Sequence, residues 1–253
     1  NGGAGATLLA GATVALVSAG LAAGFRPRFL GPDEPDDAGR SAMYAVVHGL
    51  AHGVRVVAGT RTVEVVLGAL GAHRFVFGLN TLMLLLIVRN VDLGWMGDDV
   101  GALALIGVCI AAGAFCAAFT TPALVHRIGR RSTIAGALIA ALGAQLCLVQ
   151  LSPWTVVLSA VILGLAGQTV KLCGDVAMQL DVSDTYRGQV FAVQDALFNV
   201  AFVAAIFLAA LTVPADGVSP TLVAVGALLY ALAAAGVWLR HPLHAPRQPV
   251  AVP

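Results

Sequence analysis

Ser152 to Phe207 reads SPWTVVLSAVILGLAGQTVKLCGDVAMQLDVSDTYRGQVFAVQDALFNVAFVAAIF. Two apolar segments, each long enough to cross a bilayer as a helix, are joined by a charged turn, Asp181-Val-Ser-Asp-Thr-Tyr-Arg-Gly188. Within the apolar part sit Gln168, Lys171, Asp175, Gln194, Asp195 and Asn199. An ionisable side chain in hydrocarbon is costly unless it faces a protein interior or water, so each of these is a functional candidate. The stretch therefore reads as two membrane helices close to a working surface.

The whole chain supports that reading. Hydrophobic residues make up 59% and charged residues 11% of the 253, where a soluble domain carries about 25% charged residues. The 29 glycines suit helices that approach closely in lipid. A net charge of +1 gives no reason to expect a nucleic-acid partner. Runs of about 20 apolar residues, the length that crosses a hydrocarbon core, occur at 4–25, 63–88, 101–125, 132–151, 153–180, 189–213 and 220–239. Ser152-Pro153 and Ser219-Pro220 each place a capping serine before a proline at the first helical position. The alternating ten-residue segments of a membrane barrel do not occur. The expected fold is an all-α polytopic membrane protein of seven transmembrane helices.

The connection after the first run differs in kind. Residues 26–41 are polar and broken by proline, with Gly31-Pro-Asp-Glu-Pro-Asp-Asp37 at their centre. Met43, Val47, Leu50, Val54 and Val57 then recur at spacings of three and four. His48, His52 and Arg55 fall on the other side, which describes an amphipathic helix lying on the membrane surface. The expected organisation is a transmembrane helix at 1–25, a linker with the surface helix at 26–62, a six-helix unit at 63–240 and a tail at 241–253. The chain opens on Asn1-Gly-Gly without a basic segment before its first apolar run, and that run is expected to be a spanning helix of a longer protein.

Basic residues set the orientation. Arg26, Arg28, Arg40, Arg55, Arg61, Arg127, Arg130, Arg131, Arg187, Arg240 and Arg247 all fall on one side, Arg89 alone on the other, and Arg74 and Lys171 within helices. The side rich in arginine is expected to be cytoplasmic, in the cell membrane.

Thr121-Pro-Ala-Leu-Val-His-Arg-Ile-Gly-Arg-Arg131 resembles the second-half copy of the cytoplasmic loop motif of the major facilitator superfamily, G-x-x-x-D-R-x-G-R-R. Arg127, Gly129, Arg130 and Arg131 match it, while Pro122 replaces its glycine and His126 its acidic residue. His73-Arg-Phe-Val-Phe-Gly-Leu-Asn-Thr81, Gln168-Thr-Val-Lys-Leu-Cys-Gly-Asp175 and 186–199 are similar to blocks in a group of actinobacterial members of unassigned substrate. The resemblance implies the last helix of the amino-terminal half and the six-helix carboxyl-terminal half of a twelve-helix transporter. It further implies a central site between two halves that rock to give alternating access. The partners it implies are a small-molecule substrate, protons, the lipid bilayer and an amino-terminal half absent from this chain.

Lys171 and Asp175 are four apart and share a helix face, with Gln168 one turn earlier. They are expected either to serve substrate binding or proton coupling, or to form a static pair. Arg74 keeps its charge in any setting and needs a carboxylate, a water-filled cavity or a ligand; Asp175 and Asp195 are the candidate partners within the chain. His73 beside it is a candidate for proton coupling or for packing. Arg187, Asp195 and Asn199 are candidates for an inner gate, together with the Arg127–Arg131 motif. His48 and His52 have a metal-compatible spacing but are expected to face water. Cys109, Cys116, Cys147 and Cys173 are expected to be packing residues, and Gly20 to Gly24 and Gly164 to Gly167 points of close helix approach. No phosphate-binding loop, catalytic triad or hydrolase carboxylate pair appears, so neither enzymatic activity, nor a cofactor, nor a metal is expected. The expected function is secondary transport of a small solute, with proton-coupled efflux the mode that analogy favours. The alternative is a transporter-like scaffold or sensor subunit with locked intramembrane ion pairs.

Overall fold

The computed structural model describes residues 2–24, 42–92, 94–96 and 99–240. Among them every regular element is helical: α1 (Gly2–Ala23), α2 (Ala42–Gly59), α3 (Arg61–Asn90), α4 (Asp99–Cys147), α5 (Pro153–Asp181), α6 (Asp184–Thr212) and α7 (Pro220–Arg240), with short 3-10 turns at Gly94–Met96 and Leu148–Gln150. The protein is an all-α polytopic membrane protein. Among the described residues five helices are long and apolar enough to cross a membrane, and one of them, Val100–Gln150, is 51 residues long. At 1.5 Å per residue that is about 77 Å, more than twice a hydrocarbon core of about 30 Å.

A single residue resolves this excess. Gly129 has φ 83° and ψ 156°, outside any helix, and divides α4 into two arms. The first arm runs parallel to α5, since Ile110 lies against Gly164 and Thr121 Oγ1 donates to Thr169 Oγ1. The second runs antiparallel to α5, with Arg130 at Asp181 and Ala144 at Ser159. The chain therefore reverses at Gly129, and the expected loop between two spans is one glycine wide. The expectation of a seventh crossing rests on α1, which belongs to a separate unit of the chain, Asn1–Val47.

The starts of the helices follow local chemistry. Thr155 Oγ1 accepts from the Ser152 N–H at 3.1 Å, and Pro153 opens α5. Ser219 Oγ accepts from the Leu222 N–H at 3.3 Å, one turn into α7. Lipid offers no hydrophobic drive for helices to associate, so close packing must supply it. Gly113 and Gly164 show how: a Cβ on Gly113 would lie 2.0 Å from the Val161 carbonyl oxygen, and one on Gly164 2.2 Å from that of Ile110. A Cβ on Gly20 would meet open space. Around these contacts one buried cluster gathers Val66, Leu70, Ile134, Leu138, Val170 and Tyr230, and a second, nearer Trp95, gathers Leu79, Met83, Ile106 and Leu222.

The surface helix departs from expectation at His52, while His48 and Arg55 are exposed. Its carboxyl-terminal part belongs to the unit that begins at His48 and packs through Gly53, Val56 and Val57, with Gly53 against the Gln189 backbone. Val47, Leu50 and Val54 point outward. His52 is half-buried: its Nδ1 is 2.7 Å from Gln189 Oε1, and its ring lies 4.9 Å from that of Tyr186. The small Gly53 lets this side of the helix come closest to α6, which explains the rotation. Met43 lies among residues whose side chains are not described.

Candidate functional site

Gly167 is the middle residue of α5, and a Cβ there would lie 2.1 Å from His73 Nε2. The contact sets His73 and Arg74 of α3 at the centre of the bundle. Toward the arginine-rich end, Lys171 lies about 6 Å and Asp175 about 12 Å further along α5. Lys171 Nζ donates to Asp175 Oδ2 at 2.8 Å, and Gln194 Nε2 of α6 donates to Asp175 Oδ1 at 3.0 Å. Both carboxylate oxygens are thus engaged, one by a cation on its own helix and the other by an amide on the next. Gln194 is buried, and its Oε1 has no hydrogen-bond partner. The side chain of Lys171 is 40% exposed, so the pair sits at an edge of the bundle. Gln168, one residue after Gly167, is half-buried.

Arg74 has neither of its candidate partners. Among the described residues it makes no ion pair or hydrogen bond; its guanidinium lies 3.8 Å from the ring centre of Phe198, 4.5 Å from Phe202 and 5.0 Å from Phe77. Cation–π contact of this kind offsets part of the cost of a desolvated charge. Asp175 is committed to Lys171, and Asp195 is exposed on α6, where Asn199 Nδ2 donates to its backbone carbonyl at 2.8 Å. His73 is buried, with Nδ1 3.0 Å from Tyr230 Oη.

The motif arginines join helix ends. Arg130 meets Asp181 at 2.8 Å, while Arg131 donates to the Trp238 carbonyl and stacks 4.6 Å over its ring. The reversal at Gly129 is thereby tied to the ends of α5 and α7, and Arg127 is exposed. Arg187 pairs with Asp184 at 2.5 Å and donates to the Gln179 carbonyl at 2.7 Å. It closes the carboxyl-terminal end of α5 and does not reach Asp195, because its own first helical turn offers the nearer carboxylate. Of the cysteines only Cys173 is buried.

Two central contacts escaped the sequence reading. Asn80 Nδ2 donates to Gln145 Oε1 at 2.7 Å and Gln145 Nε2 to Asn80 Oδ1 at 3.1 Å, locking α3 to the second arm of α4. The His73–Tyr230 contact does the same for α3 and α7. An amide inside an apolar run was the available signal for Asn80 and Gln145.

An uncharacterized MFS-type transporter of Mycobacterium bovis and another of Mycobacterium tuberculosis are each 45% identical to this chain over 207 residues, 81% of the chain. Over that stretch the chain is similar to MFS-type transporters. It spans about half the length of these curated relatives, 47% of each. No family model matches the chain. No solved structure matches it. The MFS-type relatives agree with the resemblance carried by Arg127, Gly129, Arg130 and Arg131.

Proposed function

We propose that the chain is the carboxyl-terminal part of an MFS-type secondary transporter of the cell membrane, completed by a further six-helix half. In this reading the unit at 63–240 rocks against that half, the arginine-rich end faces the cytoplasm, and a small solute crosses between them. The observation that carries the reading is the Lys171–Asp175–Gln194 group, which ties α5 to α6 through one carboxylate in the membrane interior. A proton on Asp175 removes the charge that neutralises Lys171 and weakens the link to Gln194. Lys171 is then free to meet a substrate anion, and α6 to move relative to α5. Loading and unloading that proton from opposite sides couples solute movement to the proton gradient, with efflux the direction we favour. In a scaffold or sensor subunit the same group would be a permanent clasp.

The test is exchange between vesicles containing the full-length protein and a mixture of small organic solutes, read by mass spectrometry. We expect at least one solute to move in a manner that depends on the pH gradient, and the movement to be lost in Lys171→Ala and to have an altered pH dependence in Asp175→Asn. Unchanged exchange in both variants would make the pair structural and remove the proposed coupling.

A further inference from the structure

Arg74 presents a permanent cation at the centre of the bundle, with three rings and, among the described residues, no carboxylate around it. Its Nε is buried and has no acceptor, while the residue as a whole is half-buried, so part of the guanidinium remains accessible. Phe77 and Phe202, two of the three rings around it, also line an apolar cavity of about 280 Å³ that extends between α3, α4, α5 and the start of α7 toward the Trp95 end. Leu84, Ile106, Ile110 and Leu163 form its walls, and Asn80 is a polar group at its border. A cavity of about 150 Å³ lined by aliphatic and aromatic side chains holds benzene, so this one has room for a body of two rings. The charges near the centre also fit one class of guest. Lys171 is already neutralised by Asp175, which leaves Arg74 as the cation without a described counter-ion.

We propose that Arg74, Phe77, Phe198 and Phe202 form the seat for the carboxylate of an apolar organic monoanion, whose ring or chain occupies the adjoining cavity. Guanidinium offers planar, paired N–H donors that match a carboxylate, and the phenyl rings hold it by stacking without supplying a competing anion. The apolar walls reject a second charge on the guest. The guest comes either from water as a small aromatic acid or from the bilayer as a fatty acid; both present the same carboxylate on an apolar body. Its role as cargo rests on the transporter reading above, but its binding does not.

Equilibrium binding to the full-length protein in lipid nanodiscs is therefore the test, with radiolabelled 2-naphthoate as probe. We expect saturable binding of 2-naphthoate, with 2-naphthamide and 2-naphthylmethylammonium each failing to displace it. Arg74→Gln should weaken it by about tenfold or more, the scale of a lost hydrogen bond to a charged group. Phe198→Leu should weaken it less. Displacement by oleate would assign the site to a bilayer-derived acid, and its absence to a water-borne one. If the amide competes as well as the acid, or if Arg74→Gln binds the acid like the parent, the proposal falls. Should Arg74→Gln fail to accumulate, the comparison of acid, amide and ammonium on the parent protein still decides. Binding of naphthoate with no solute moving in vesicles would sink the transporter reading and leave the site; movement of other solutes without naphthoate binding would do the reverse.

Discussion

Lys171 and Asp175 stabilise each other only as a pair, and that can be measured apart from any transport. Removing the lysine leaves the Asp175 carboxylate at the bundle edge with, among the described residues, the Gln194 amide as its remaining partner. Because both side chains are partly exposed, at 40% and 23%, water screens the loss, and we expect Lys171→Ala to cost on the order of 1 kcal/mol. The double variant Lys171→Ala, Asp175→Asn should recover much of that, since no unpaired charge remains. Thermal unfolding in detergent checks this, and a double variant no more stable than the single one would show that the charges do not interact. The spacing of four made this pair legible from sequence, because it depends on one helix alone. Arg74 was legible as a problem and not as a solution: its three rings come from two helices, and nothing in the order of residues says that α6 turns Phe198 and Phe202 toward α3. His73 pairing with Tyr230 is hidden for the same reason, being 157 residues away.

At the scale of the helix, Gly129 decides the architecture. Its φ of 83° and ψ of 156° belong to a region that residues with a Cβ rarely enter, although a Cβ there would have open space around it. Gly129→Ala should therefore destabilise by about 1–3 kcal/mol through backbone strain alone, which a lowered unfolding temperature would reveal. An unchanged temperature would mean that the reversal adjusts without strain. The span lengths and both serine–proline starts were readable because length, hydropathy and capping are local properties. The rotation of α2 was not, since its apolar residues at 47, 50 and 54 follow a helical period whichever way the helix faces. Gly53 sets that direction through its fit against the Gln189 backbone, a contact between distant segments. Likewise the motif arginines announce a reversal, but their partners Asp181 and Trp238 emerge only when α5 and α7 end at the same level.

A whole molecule that works by alternating access exposes the middle of α5 to each side of the membrane in turn. Gln168 is the residue to probe, because it adjoins the bundle centre and carries no charge. Cys109, Cys116, Cys147 and Cys173 would be replaced by alanine in the full-length protein, and single cysteines introduced one at a time. Ile128→Cys, exposed beside the reversal, should react with a membrane-impermeant thiol reagent only from the cytoplasmic side. Asp92→Cys, exposed after α3, should react only from outside. These two fix the orientation, and either one reacting from the opposite side would invert it. With the sides defined, Gln168→Cys should react in both right-side-out and inside-out vesicles, because a rocking pair of halves opens the centre to each face in turn. A cysteine at 168 that is reactive from one side only, or from neither, in protein that still folds would contradict alternating access and favour a locked scaffold.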